Sequence, residues 1–143
     1  MQIREMNFKE LDTIYALLSQ LRVELSFKEF DDLVYDMRHM DYKMIGLLER
    51  GVLITFAGVA VQTNFYHKRH LYVFDLVTDK AYRGKGYGTS MLNYLDDYAK
   101  TAMCENIVLS SGFSREGAHK FYEEEGFIKK SHIFLKPMKN SIS

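Results

Sequence analysis

The sequence predicts an α/β fold built on one mixed sheet, and three observations carry that expectation. Two amphipathic helical patterns arrive before any long strand, and three consecutive runs rich in Val, Ile, Leu, Phe and Thr follow them. Helices and short strands then alternate to the end. The predicted order is β-α-α-β-β-β-α-β-α-β, antiparallel through its hairpins and parallel where a helix crosses over, with helices on both faces.

Each element has its own signal. After a short leading strand, Asn7 with Glu10 reads as a capping box, and Phe8, Leu11, Ile14, Leu18 and Leu21 recur at helical spacing. Ser26 with Glu29 repeats the cap, and Phe27, Phe30, Val34 and Met37 form the apolar stripe of a second helix. Tyr42 to Leu48 and Val52 to Phe65 read as a hairpin joined by Glu49, Arg50 and Gly51. His70 to Thr78 is the next strand. Ser90 to Met103 carries Leu92, Leu95, Ala99 and Ala102 on one face, the pattern of a crossover helix. Ile107 to Ser110 is a short strand, Arg115 to Glu125 a helix stopped by Gly126, and Phe127 to Lys136 a final strand.

Composition narrows the function classes. The chain has 143 residues, 19 Lys and Arg against 19 Asp and Glu, and a single cysteine, Cys104. Zero net charge gives no global attraction to nucleic acid or anionic lipid, so neither is expected as a partner. A lone cysteine excludes an internal disulfide framework and points to a cytoplasmic setting. The most apolar run, Val52 to Val61, is far short of the roughly 20 residues that span a bilayer. One proline and the absence of any linker predict a single domain over 1–138 and a disordered polar tail over 139–143. The expected partner is a small molecule.

The most informative stretch is Arg83-Gly84-Lys85-Gly86-Tyr87-Gly88-Thr89, between a strand and a helix. Helix N-termini leave backbone N–H groups unpaired and carry partial positive charge, and glycines let an anion approach them without Cβ interference. Arg83 and Lys85 add charge beside them. A Walker A loop is excluded because Lys85 precedes Gly86 at the wrong spacing, and a dinucleotide fingerprint because Thr89 occupies the place of its third glycine.

Here the sequence resembles the GNAT superfamily of acyl-CoA-dependent N-acyltransferases. The family signature, Gln/Arg-x-x-Gly-x-Gly/Ala, is met by Arg83, Gly86 and Gly88 within Val77 to Gly88, and Ser114 to Phe127 is similar to the family's final helix with its Phe-Tyr-x-x-x-Gly-Phe ending. The resemblance implies bound acetyl-CoA, with its pyrophosphate on the backbone of Arg83, Gly84, Lys85, Gly86, Tyr87, Gly88 and Thr89. It further implies a pantetheine arm pairing like an added strand with Leu76, Val77 and Thr78. A backbone N–H of Leu76 or Val77 would face the thioester oxygen. Tyr122 holds the place from which many relatives protonate the departing thiolate, and a phenol with an ordinary pKa near 10 can do so at neutral pH. Arg115 stands where relatives carry an Asn that touches CoA, and it can reach a phosphate or carbonyl. His119 shares a helix face with Tyr122 and is read as structural.

Asp75 is the one carboxylate in the apolar run Leu71 to Val77, on the strand face of Val73 and Val77. Two readings stay open: it accepts the substrate's ammonium and helps deprotonate it, or it pairs with an Arg. Acceptor identity should be written in the connection Arg22 to Asp32, where Glu24, Glu29, Asp31 and Asp32 are either a solvated helix face or a field suited to a cationic amine. Tyr15, Tyr35, Tyr42 and Phe65 are either core or pocket lining. Cys104 has no base and orienting group around it and is not expected to be a nucleophile. The expected activity is transfer of acetyl from acetyl-CoA to a primary amine of a small molecule, by direct attack in a ternary complex without metal. Alternatives are acetylation of a protein N-terminus or lysine, or a non-catalytic CoA-sensing regulatory module. Exposed sheet edges leave room for a homodimer.

Overall fold

Both helix starts read from the sequence are built as capping boxes in the computed structural model, which describes residues 1–138. The Asn7 side chain accepts from the Lys9 N–H (2.9 Å) while the Asn7 N–H donates to Glu10 (3.0 Å). A 3-10 turn then leads into α1 (Leu11–Leu18). Ser26 Oγ accepts from the Glu29 N–H (3.1 Å), and Glu29 in turn accepts from the Ser26 N–H (3.1 Å), starting α2 (Phe27–Met37). Each box satisfies donors that a bare helix end would leave open, worth about 1 kcal/mol. Arg4 adds a two-pronged bond to Glu10 (3.0 and 2.7 Å), which fastens the first strand to the start of this helix.

The sheet has five strands in sequence order: β1 (Gln2–Glu5), β2 (Tyr42–Glu49), β3 (Val52–Asn64), β4 (Lys68–Thr78) and β5 (Asn106–Leu109). The first three pairings are antiparallel, and β4 with β5 is parallel, across the crossover helix α3 (Tyr87–Thr101). The mixed α/β sheet is thus the one the sequence predicts. One apolar cluster joins Ile14, Leu17 and Leu18 of α1 and Phe30 and Val34 of α2 to Met44, Leu48, Phe56 and Val77 of the sheet. Burying each large member contributes roughly 1.5–3 kcal/mol. Met91, Leu92, Leu95 and Ala99 of α3 are also buried, and none of them belongs to that cluster.

Two predicted elements differ. α3 begins at Tyr87, not Ser90, because Gly86 takes a left-handed conformation (φ 86°) and serves as the N-cap, so the helix starts inside the glycine turn. The predicted strand Phe127 to Lys136 does not form: among the described residues no strand follows Leu109. Its sequence runs two apolar residues, four polar, then Ile133, Phe134 and Leu135, so neither face of a strand would be apolar; Ile128, Ile133, Phe134 and Leu135 are exposed.

The chain divides into two compact units, Met1–Leu109 and the residues from Ser110 onward. The second contains α4 (Glu116–Glu124), closed by Gly126 at φ 95°. Tyr122 is buried there, its ring 5.6 Å from that of Phe121 and 5.7 Å from that of Phe127. The tail predicted to be disordered, 139–143, lies outside the described residues.

Candidate functional site

β4 changes character halfway along. Val73 pairs with Val59 and Asp75 with Gly58, so Phe74 is an extra residue with no partner on β3, a β-bulge. Counted from this register, Asp75 shares a face with Val77 but not with Val73, which corrects the face read from plain alternation; one inserted residue inverts everything before it. Val77 belongs to the cluster under α1 and α2, and Val73 does not. Pairing with β5 ends at the same place. Among the described residues β5 pairs only with His70 to Val73, so Asp75 to Thr78 have a strand partner on the β3 side alone.

Of the three residues expected along this edge, Leu76 is half-buried, Val77 is buried in the core and Thr78 Oγ1 lies 3.0 Å from Thr55 Oγ1. Side chains are occupied inward, and what the edge offers is main chain. The strand then runs into the glycine turn. Asp79 caps a short 3-10 turn by accepting from the Ala81 N–H (3.0 Å), and Arg83 Nε donates to the Thr78 carbonyl (3.1 Å). Gly84 (φ 78°) and Gly86 (φ 86°) take backbone conformations that favour glycine, and a Cβ on either would meet open space. No side chain caps α3. Tyr87 pins its first turn by donating to Glu49 (3.1 Å), which holds the phenol above its ordinary pKa; Gly88 and Thr89 complete that turn. Arg83 and Lys85 are exposed, with Lys85 Nζ 5.6 Å above the Tyr82 ring. The turn can therefore hold an anion against backbone N–H groups, flanked by two cations.

The Arg alternative for Asp75 is realised. Arg22, in the α1–α2 connection, sets Nε and Nη2 each 2.7 Å from Asp75 Oδ1, and Nη2 also donates to the Phe74 carbonyl at 3.2 Å. Reading the sequence left Arg22 unassigned, as the first residue of an otherwise acidic connection. Its signal was available only in the pairing of two residues 53 apart, which no local pattern encodes. Beside the pair, Arg22, Val23, Glu24, Leu25 and Glu29 line an open depression of about 530 Å³. On the sheet, the Tyr42 ring packs edge-on to Phe74 (5.5 Å), and a Cβ on Gly58 would strike its hydroxyl. Burial first, and the Asp75 charge second, push the Tyr42 phenol well above its ordinary pKa, so it stays protonated.

In the second unit, Arg115 is exposed at the N-cap of α4, and Tyr122 lies two turns further on. His119 donates from Nε2 to the Gly112 carbonyl (2.8 Å), bracing the loop before the helix, in keeping with a structural role. Ser111 Oγ is buried and has no hydrogen-bond partner among the described residues. Cys104 is partly buried, and burial raises its thiol pKa, which lowers its thiolate content. No helix among the described residues is long and apolar enough to cross a membrane.

Residues 11–127 match the Acetyltransferase (GNAT) family. The uncharacterized N-acetyltransferase YhdJ of Bacillus subtilis is 33% identical over 87% of this chain and 89% of its own length. The aminoalkylphosphonate N-acetyltransferase of Salmonella typhimurium is 26% identical over 92% of this chain and 87% of its own. An aminoglycoside N-acetyltransferase solved in complex with CoA shares the fold, with a TM-score of 0.82 at 14% identity, covering 96% of this chain and 94% of its own. The edge of β4 beyond its pairing with β5, the glycine turn at the start of α3 and these likenesses lead to one conclusion: the chain belongs to the GNAT acetyltransferase family and is an N-acetyltransferase.

Proposed function

We propose that the protein transfers the acetyl group of acetyl-CoA to a small primary amine, by direct attack in a ternary complex. The observation that carries this reading is the one-sided edge of β4, from Asp75 to Thr78, leading directly into the uncapped and glycine-opened start of α3. An extended, amide-bearing arm ending in a polyanion has the chemistry that such a feature accepts. Acetyl-CoA, when bound, supplies an activated thioester.

The remaining chemistry falls to the chain. Main-chain groups of Leu76, Val77 and Thr78 pair with the arm, and an N–H of Leu76 or Val77 stabilises the negative charge that develops on the thioester oxygen. Backbone N–H groups from Arg83 to Thr89 hold the pyrophosphate, with Arg115 as a further anion contact. Asp75 holds the ammonium of the acceptor and receives its proton, directly or through water. Tyr122 gives its phenolic proton to the departing thiolate. The small-molecule acceptor is supported by what the Salmonella typhimurium relative acts on, an aminoalkylphosphonate. The reaction is placed in the cytoplasm, with a second copy of the chain as the expected protein partner.

The test is thiol release from acetyl-CoA across a panel of small amines, lysine-containing peptides and free peptide N-termini. Small amines turning over faster than any peptide supports the reading. Preferred peptides would move the activity to protein acetylation, and acetyl-CoA binding without thiol release to any acceptor would leave a regulatory module.

A further inference from the structure

We infer that Arg22 and Asp75 form a paired receptor for the acceptor substrate, and that the site takes an amine carrying its own anionic group on a short chain, such as an aminoalkylphosphonate, an aminosulfonate or an amino acid. The inference rests on the acetyl-transfer reading above and adds to it the chemical class of the acceptor and a residue that selects it.

The geometry of the ion pair points to this class. Arg22 commits Nε and Nη2 to Asp75 Oδ1 and to the Phe74 carbonyl. Among the described residues, no hydrogen bond reaches Arg22 Nη1 or Asp75 Oδ2. A guanidinium presents five N–H donors in a rigid fork, and a carboxylate accepts on both oxygens, so each partner keeps capacity after satisfying the other. The bond to Phe74, the extra residue of the bulge, fixes the guanidinium plane, so little ordering remains when a ligand arrives. Arg22 is the open member of the pair, its side chain 50% exposed and lining the depression with Val23, Glu24, Leu25 and Glu29, while Asp75, 15% exposed, sits behind it.

A ligand bearing only an ammonium would satisfy Asp75 Oδ2 but bring a second cation beside Arg22. A ligand bearing only an anion would meet Arg22 beside Asp75, Glu24 and Glu29. A short zwitterion laid head to tail against the pair places its ammonium on the carboxylate and its anion on the guanidinium, so each charge of the ligand meets an opposite charge of the pair. Arg22 is the cation among the residues that line the depression, so it receives the anion, while Glu29 is engaged in capping Ser26.

The experiment compares aminoethylphosphonate with ethylamine, which has the same chain and no anion, by thiol release from acetyl-CoA, in the wild type and in Arg22→Gln and Arg22→Lys. A charge-assisted hydrogen bond is worth about 1.5–3 kcal/mol, so the wild type should prefer the phosphonate roughly 10- to 100-fold in kcat/KM. Arg22→Gln should bring the ratio of the two amines toward one through the KM of the phosphonate, and Arg22→Lys should restore part of it. Calorimetric titration of aminoethylphosphonate into the CoA-bound protein should show the same order of affinities. Equal rates with the two amines in the wild type, or an unchanged ratio in a folded Arg22→Gln, would overturn the receptor while leaving acetyl transfer standing. Acetyl-CoA binding without thiol release to either amine or to any panel member would overturn the transfer reading and the receptor with it.

Discussion

Asp75→Asn separates the two readings of that carboxylate, because the structure says how much each should cost. The substitution keeps the volume and keeps an oxygen that can accept from Arg22 Nε, while removing the charge. Breaking a fully buried pair costs about 3–5 kcal/mol, because the stranded ion stays desolvated. Here the Asp75 side chain is 15% exposed and that of Arg22 50%, so the freed guanidinium can turn to water. The expected loss is therefore about 1 kcal/mol, closer to an exposed pair than to a buried one. With an unfolding entropy of roughly 0.3 kcal/mol/K for a chain of this length, the melting temperature should fall by about 3 °C. Turnover should fall much further, on the order of 10²-fold at neutral pH, where an alkylamine with a pKa near 10 is almost wholly protonated. Raising the pH frees the amine without help, so the deficit should shrink toward pH 10. The assay pairs thermal melts with pH–rate profiles of thiol release. A loss of 3–5 kcal/mol with a pH profile parallel to the wild type would make Asp75 a structural anchor and nothing more. Unaltered stability and an unaltered profile would remove it from the reaction and send the search for the base to Glu24.

Gly86→Ala should weaken acetyl-CoA binding in a folded protein, since the added Cβ meets no protein atom and projects into the space assigned to phosphate, at a strain of about 1–2 kcal/mol for a left-handed residue; calorimetry giving wild-type affinity would remove the phosphate site. Tyr122→Phe keeps the ring packing against Phe121 and Phe127 and deletes the hydroxyl, so kcat should drop by roughly 10² with acetyl-CoA affinity nearly constant, whereas full activity would return Tyr122 to the core. The bonds from Arg4, and then that from the Asn7 N–H, pull the Glu10 carboxyl down to about 2 from an unfolded value of 4.5, so its stabilisation is complete above the unfolded value and is lost as pH falls toward the folded one. After discounting for solvent screening it amounts to on the order of 1 kcal/mol, and melts between pH 6 and 2 should show a shallower decline in Glu10→Gln.

Local chemistry was legible in the sequence wherever it was encoded within a few residues. The capping boxes at Asn7 and Ser26, the hairpin turn at Arg50 and Gly51, and the left-handed stop at Gly126 depend on neighbours only, and all are built as read. Gly86 was read as part of a turn but not as a helix cap, because its left-handed φ is a property of the folded backbone; that moved the start of α3 by a turn. The strand expected at Phe127 to Lys136 failed for the opposite reason. Its β-branched and aromatic residues carry strand propensity, yet propensity only describes fitness for a half-buried pleated surface, and the segment's polar centre offers no such face.

The bulge at Phe74 marks the boundary between what alternation can and cannot say. Period-two reading places Asp75 with both Val73 and Val77, and the extra residue keeps it with Val77 but not with Val73, where it meets Arg22 of the α1–α2 connection. That one insertion has two consequences, since the carboxylate is turned toward Arg22 and the Phe74 carbonyl becomes an anchor for the guanidinium, and it sits just where the pairing of β4 with β5 ends. The proposed acceptor receptor and the open strand edge thus meet at a single backbone irregularity. A variant that removes the bulge, by deleting Phe74, should lose both together: acetyl-CoA affinity through the repaired register of the edge, and acceptor selectivity through the reversed face of Asp75. Calorimetry and the two-amine ratio measured on the same folded variant check this, and retention of either property alone would show that the edge and the receptor are built independently.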